Sequence, residues 1–258
     1  MCGIAGFLQR TAEVDEPLEQ LAQTMADTLT HRGPDDSGAW ADSAAGIALG
    51  HRRLSIMDLS AAGHQPMLSA NGRFVVSYNG EAYNHVDLRK ELESQGAAFR
   101  GHSDTEVIVE GFARWGIPKT LSRLIGMFAL AVWDREARSL TLIRDRLGIK
   151  PLYWGQFGGT FVFGSELRAI RAHPRAETTI NRAAVADLVR HGYVTGSHSI
   201  YNEVQRVSPG SMLTITVEGA KTASRYWSAQ AVAPETDEAP QAARERIESL
   251  LGDAVKRR

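Results

Sequence analysis

The chain has 258 residues, 43% of them hydrophobic, and its 29 Lys and Arg against 30 Asp and Glu give a formal net charge of −1. That length supports one large domain, or one domain with an appendage, and near-neutrality leaves no field of one sign for nucleic acid or an anionic membrane surface. No apolar stretch approaches the ~20 residues of a membrane span, the opening MCGIAGFLQR lacks the basic region and cleavage site of a signal peptide, and one cysteine excludes an internal disulfide and CxxC-type sites. A soluble, cytoplasmic protein is expected, with no nucleic-acid or membrane partner.

Ile4, Ala5, Phe7 and Leu8 open the chain as a short strand, and Leu18, Leu21, Met25 and Leu29 then recur at helical spacing. Ile47 to Leu49 and Phe74 to Tyr78 read as buried strands. Leu88 and Leu92 suggest a short helix stopped by Gly96. Ile108, Phe112 and Trp115 mark another, capped by Ser103 or Asp104 and ended by Gly116 with Pro118. Four strand-like runs follow, Phe128 to Trp133, Leu140 to Ile143, Pro151 to Trp154 and Thr160 to Phe163, the last preceded by a Gly158-Gly159 turn. Pro234, Pro240 and the acids Glu235, Asp237 and Glu238 give the stretch after Trp227 the composition of a linker. Ile247, Leu250, Leu251 and Ala254 then form an apolar stripe on a final helix, which runs to Arg258 without a Gly or Pro stop. The pattern is α+β.

Serine-elbow, zincin, P-loop and dinucleotide-fingerprint motifs are all missing, and the eight histidines are scattered without metal spacing, so no metal ligands are expected. Cys2 stands out by its address. Loss of Met1 would leave its thiol beside its own α-amine. A thiol of pKa near ~8.5 and an amine near ~7.7–8 can exchange a proton at neutral pH, so one residue would supply nucleophile and base. The bland alternative is an inert cysteine, but an apolar strand starting at once is unlike a frayed terminus.

Three other clusters read two ways. Asn79-Gly80 after a buried strand offers two N–H donors for an oxyanion, or an ordinary hairpin turn. Arg52-Arg53 offers a guanidinium for a carboxylate, or a surface pair. Ser103-Asp104-Thr105-Glu106 offers carboxylates before a helix, or only a helix cap.

Taken in order, Met1-Cys2-Gly3-Ile4-Ala5-Gly6, His31-Arg32-Gly33-Pro34-Asp35, Arg53-Leu54-Ser55-Ile56, Asn79-Gly80-Glu81 with Tyr83-Asn84, and Ser103-Asp104-Thr105-Glu106 resemble the class II glutamine amidotransferases. With Gly126-Met127-Phe128-Ala129, the run Arg144 to Tyr153, and Phe163-Gly164-Ser165-Glu166-Leu167, the chain looks like the glutaminase domain of glutamine-hydrolysing asparagine synthetases. Ala82 departs from that pattern, which has a larger aliphatic residue there.

The resemblance implies an N-terminal nucleophile hydrolase-like four-layer αββα sandwich with two antiparallel sheets. It implies that Cys2 attacks the glutamine side-chain amide while Asn79 and Gly80 hold the oxyanion. Arg53 would pair with the substrate α-carboxylate, and Glu81 and Asp104 with its ammonium. Backbone groups of Leu54, Ser55, Ile56 and Met57 would line the pocket. Residues 2–227 would form the amidotransferase domain, 228–240 a linker, and 241–258 the first helix of a synthetase domain. The Ser-Gly-Gly-x-Asp-Ser loop of that domain does not occur here, so ATP and magnesium are expected only with the rest of the synthetase, and no cofactor with this chain. A homodimer is left open. Two alternatives remain: the same glutaminase serving another carboxylate acceptor, and a non-catalytic glutamine-binding relative.

Overall fold

The computed structural model of the chain describes residues 1–9, 17–56, 58–232 and 239–256. In chain order the strands are β1 (Gly3–Gln9), β2 (Asp36–Asp42), β3 (Ile47–Arg53), β4 (Met67–Leu68), β5 (Phe74–Ala82), β6 (Gly126–Asp134), β7 (Ser139–Arg144), β8 (Tyr153–Phe157), β9 (Thr160–Gly164), β10 (Val204–Arg206), β11 (Ser211–Thr216) and β12 (Lys221–Arg225). The helices are α1 (Leu18–Asp27), α2 (His85–Ser94), α3 (Asp104–Trp115), α4 (Ile117–Arg123), α5 (Leu167–Arg171), α6 (Arg182–His191) and α7 (Pro240–Lys256). The described strands form two six-stranded sheets, ordered β10-β8-β9-β1-β3-β2 and β12-β11-β7-β6-β5-β4. Every pairing within them is antiparallel.

Side chains on a strand alternate between faces, and that alternation sorts the core into layers. Ile4 and Leu8 of β1, Ile47 and Leu49 of β3, Val75 of β5 and Ala129, Ala131 and Trp133 of β6 meet between the sheets. Their neighbours face outward. Ala5, Phe7 and Ala48 meet Leu21, Ala22 and Met25 of α1 and Ala169 and Ile170 of α5. Phe74, Val76, Tyr78, Phe128 and Leu130 meet Leu88 and Leu92 of α2 and Ile108 and Phe112 of α3. The order helix, sheet, sheet, helix is the expected αββα sandwich.

Local chemistry explains most boundaries. Ser103 caps α3 by accepting the Glu106 N–H, and Gly116 ends it at φ 81°, a conformation that other residues resist. Pro118 does not finish that helix. It sits in the first turn of α4, where its missing N–H costs nothing. The strand expected from Pro151 starts at Tyr153. Asn79-Gly80, compatible in sequence with a hairpin turn, lies inside β5 opposite Ala129 and Phe128 of β6, because the ladder continues to Ala82. Residues 233–238 of the linker segment and the final Arg257-Arg258 fall outside the described residues; α7 carries Ile247, Leu250 and Leu251 exposed. No helix of the described residues is long and apolar enough to cross a membrane.

Two buried histidines give the fold an acid limit. Burial lowers His51 to about 3, and burial with Arg175 nearby lowers His173 to about 4. Both stay neutral when folded, whereas the unfolded chain takes up protons below about pH 6.5. Their stabilisation is therefore complete above that pH and is lost as pH falls toward the folded values, at about 1.4 kcal/mol per pH unit for each. Urea unfolding at pH 7 and pH 5 should show this loss, and His51→Gln or His173→Gln should each make it smaller.

Candidate active site

The apolar layer between the sheets turns polar at one end, and the candidate residues collect there. Cys2 stands just before β1, and the register Gly3↔Arg52 places it beside the end of β3. Its Sγ accepts the Leu54 N–H at 3.4 Å, and its carbonyl accepts Arg32 Nε at 2.9 Å. Arg32 is held in turn by Glu166 at 3.1 Å, and Glu166 also meets His31 at 3.0 Å. Burial pushes the thiol up, against the pull of the Leu54 N–H and the nearby positive charges. Such a thiol is protonated at neutral pH and needs a base. The Met1 amine, one bond series upstream, is pushed down, chiefly by burial.

Arg53 ends β3 with its side chain buried, yet among the described residues no carboxylate neutralises it. Its guanidinium instead donates to the carbonyls of Asp58 and Ser60. Gly63 makes that position available, since a Cβ there would lie 2.0 Å from Arg53 Nη2. Asp58 shapes the same loop. Its carboxylate accepts the Ser60 hydroxyl at 2.6 Å and the backbone N–H groups of Ser60 at 2.8 Å and His102 at 2.9 Å. The Ser60 hydroxyl and these N–H groups hold it down at about 2.

On the facing sheet, β5 contributes Tyr78, Asn79, Gly80 and Glu81 to one pocket with Cys2, Arg53 and Asp104. Asn79 is 1% exposed, and neither its amide oxygen nor its amide nitrogen has a partner among the described residues. A buried amide left so, in the lining of a pocket, is available to a ligand. Gly80 is small by necessity, because a Cβ would lie 2.4 Å from the Met127 carbonyl of β6. Asp104 both starts α3 and faces the pocket, so its cap position and a binding role coexist. Its Oδ2 accepts the Tyr78 hydroxyl and the Ala82 N–H, both at 2.9 Å. Burial raises the carboxyl, and these two bonds pull it back.

Of the residues singled out in sequence, Cys2, Asn79, Gly80, Arg53, Leu54, Ile56, Glu81 and Asp104 share this pocket. Ser55 lies outside the lining, with its N–H given to Asp35 at 2.8 Å. Met57 is outside the described residues. Asp58, Gln65, Thr105 and Lys150, to which sequence reasoning assigned no role of their own, also line the pocket. Gln65 joins β5 to α3, accepting the Tyr78 N–H at 2.7 Å and donating to Thr105 at 3.2 Å. Lys150 lay within a recognisable block, Arg144 to Tyr153, but no charge logic pointed to it. Among the described residues no cluster of His, Cys, Asp and Glu is arranged to hold a metal ion.

The pocket thus offers one thiol at the start of a buried strand, an unpaired amide in the same lining, and both cationic and carboxylate side chains. Two facing antiparallel sheets between helical layers, with a cysteine at the head of a central strand, define an N-terminal nucleophile hydrolase-like fold. Solved structures share it: a glutamine phosphoribosylpyrophosphate amidotransferase from B. subtilis, 23% identical with a TM-score of 0.65, over 88% of this chain and 49% of that one. A second, described as the allosteric regulatory enzyme of purine biosynthesis, is 24% identical with a TM-score of 0.62, over the same 88% and 49%. The chain belongs to the glutamine amidotransferase domain family, which it matches over residues 1–227. It is 35% identical to an asparagine synthetase [glutamine-hydrolyzing] 3 of Bacillus subtilis, over 100% of this chain and 41% of that protein. A fungal relative, amidase chry2 of Gibberella zeae, is 30% identical over 88% of this chain and 34% of its own length. The chain therefore spans less than half the length of these relatives.

Gly63→Ala tests the packing around Arg53. The added methyl displaces the guanidinium from two carbonyls, and the buried charge loses its bonds. Stability should fall by about 1–3 kcal/mol, read as a lower urea midpoint, while Gly252→Ala on exposed α7 should not lower it.

Proposed function

We propose that this chain is a glutaminase domain in which Cys2, with Met1 removed, hydrolyses the side-chain amide of glutamine. The observation that carries the reading is Asn79, a fully buried amide without a partner in the pocket that holds the only cysteine. In the processed chain the backbone nitrogen of Cys2 becomes the α-amine. It takes the thiol proton, and the thiolate adds to the amide carbon. Asn79 Nδ2 and the Gly80 N–H donate to the resulting oxyanion. Collapse breaks the C–N bond, and the amine's added proton goes to the departing nitrogen, which leaves as ammonia. Water, deprotonated by the same amine, then attacks the γ-glutamyl thioester and frees glutamate and the thiol.

The pocket's charges suit a zwitterion. Arg53 binds the α-carboxylate, Glu81 and Asp104 bind the α-ammonium, and Leu54 and Ile56 close the side. Because burial keeps the thiol protonated, the amine has a necessary task. A free thiol nucleophile also suits the reducing cytoplasm.

The ammonia is used elsewhere in a longer protein. We read residues 228–240 as the link to a synthetase portion whose first helix is α7, with its exposed Ile247, Leu250 and Leu251. That portion would bind ATP and magnesium and amidate aspartate, as the names of the bacterial relatives suggest. A second reading keeps the glutaminase and changes the acceptor. It is favoured by the relative named an amidase.

Glutamate release from glutamine tests the core of the proposal. Cys2→Ala should abolish it, and Asn79→Ala should lower kcat by about 100- to 1000-fold. Equal rates in wild type and Cys2→Ala would overturn Cys2 as the nucleophile. Intact-mass analysis checks the terminus, since protein that retains Met1 should be inactive.

A further inference from the structure

Lys150 is 5% exposed and lines the pocket with Cys2 and Glu81. Its backbone is fixed on both sides. The Lys150 N–H donates to Asp145 Oδ2 at 2.9 Å, and its carbonyl accepts Arg144 Nε at 2.9 Å. Asp145 is itself buried and also accepts the N–H groups of Leu147, Ile149 and Phe128. Phe128 is the β6 partner of Gly80. One carboxylate therefore ties the lysine's turn to the strand pair that carries the oxyanion donors. This much anchoring is unusual for a residue whose own ammonium has no ion pair or hydrogen bond among the described residues. An ammonium without a counter-ion leaves its field uncancelled in the pocket it shares with Cys2.

We propose that Lys150 is a positioning residue whose fixed, unpaired charge keeps the Cys2 α-amine in its basic, uncharged form at neutral pH. This rests on the glutaminase reading above. The groups that act on the terminal amine are the Cys2 thiol, Arg32, Lys150 and Glu81, while Arg53 and Asp104 act on the thiol. Arg32 is committed to Glu166, which cancels much of its field. Glu81 opposes Lys150 in the empty pocket. A bound substrate ammonium would neutralise Glu81 and Asp104, leaving Lys150 as the uncompensated charge facing the amine just when a base is needed. The Met1 amine, one residue upstream of the working one, already feels Lys150 as a depressing charge.

The test uses chain that begins at residue 2, verified by intact mass. Competitive acetylation of the α-amine across pH 5–9, in a Cys2→Ala background to remove the thiol, reports its pKa without any turnover. Lys150→Met should raise that pKa by about 0.5–1 unit, and Lys150→Arg should restore it. With Cys2 present, the acidic limb of kcat for glutamine, which reads the substrate-bound enzyme, should move up by at least as much. The resulting loss is about 3- to 10-fold near pH 6 and shrinks as pH rises. A purely structural lysine would lower activity alike at every pH and leave the amine titration unmoved. An unmoved titration, or Lys150→Arg behaving as Lys150→Met, overturns the proposal. Absence of glutamate release by wild type, with the amine shift intact, would instead overturn the glutaminase reading alone.

Discussion

The arrangement depends on β1 being clamped between β3 and β9, in register from Gly3↔Arg52 and from Ala5↔Gly164. A chain terminus is ordinarily the most mobile part of a protein. Here every residue of β1 is buried, its backbone is paired on both sides, and its side chains serve two apolar layers. Cys2 inherits that rigidity because it is the next residue. Small neighbours allow the fit, since a Cβ on Gly3 would lie 2.7 Å from Leu29 Cβ. A residue at the head of such a strand is held in place by its backbone neighbours and by Arg32, which donates to its carbonyl.

The second sheet completes the site by facing the first. Ser77 Oγ lies 3.1 Å from His51 Nδ1 and donates to the Gly50 carbonyl at 3.2 Å, so a polar seam joins β5 to β3 beside the apolar layer. Beyond that seam Asn79 approaches Cys2. The same period-2 alternation that buries Val75 between the sheets places Ser77 and Asn79 on that face. Tyr78, on the opposite face, reaches Asp104 and fixes α3. Tyr78, Asn79, Gly80 and Glu81 of the pocket are therefore all set by one strand. Changes along β5 will couple to each other rather than add.

The pocket holds charges of both signs. Arg53 and Lys150 are buried residues with no ion pair among the described residues, while burial raises the Asp104 carboxyl and two donors pull it back toward its charged form. Asp58, also in the lining, organises the loop after β3 by bonding to three donors. Groups whose bonds are all made internally hold the frame. Those left unpaired are free for a ligand.

Much was legible from the sequence. The period-2 and helical patterns located β1, β3, β5, α1 and α3, because each buries one face and leaves a repeating apolar mark. The ordered motifs named the family and most of the pocket, since they carry residue identity at fixed order. Local pattern left Asn79-Gly80 ambiguous between turn and strand; the nine-residue pairing of β5 with β6 decided it, and that pairing is a long-range contact. Arg53, Asp58 and Gly63 meet only through folding of the loop after β3, and nothing local shows that Gly63 must lack a side chain. Lys150 was silent for the same reason. A lysine in a turn is usually solvated, and only the tertiary packing around Asp145 buries it beside Cys2. The sequence alone determined which strands are buried and named most of the residues that come together in one pocket. Three-dimensional packing decided which of those residues go unpaired, because pairing and burial depend on neighbours far away along the chain.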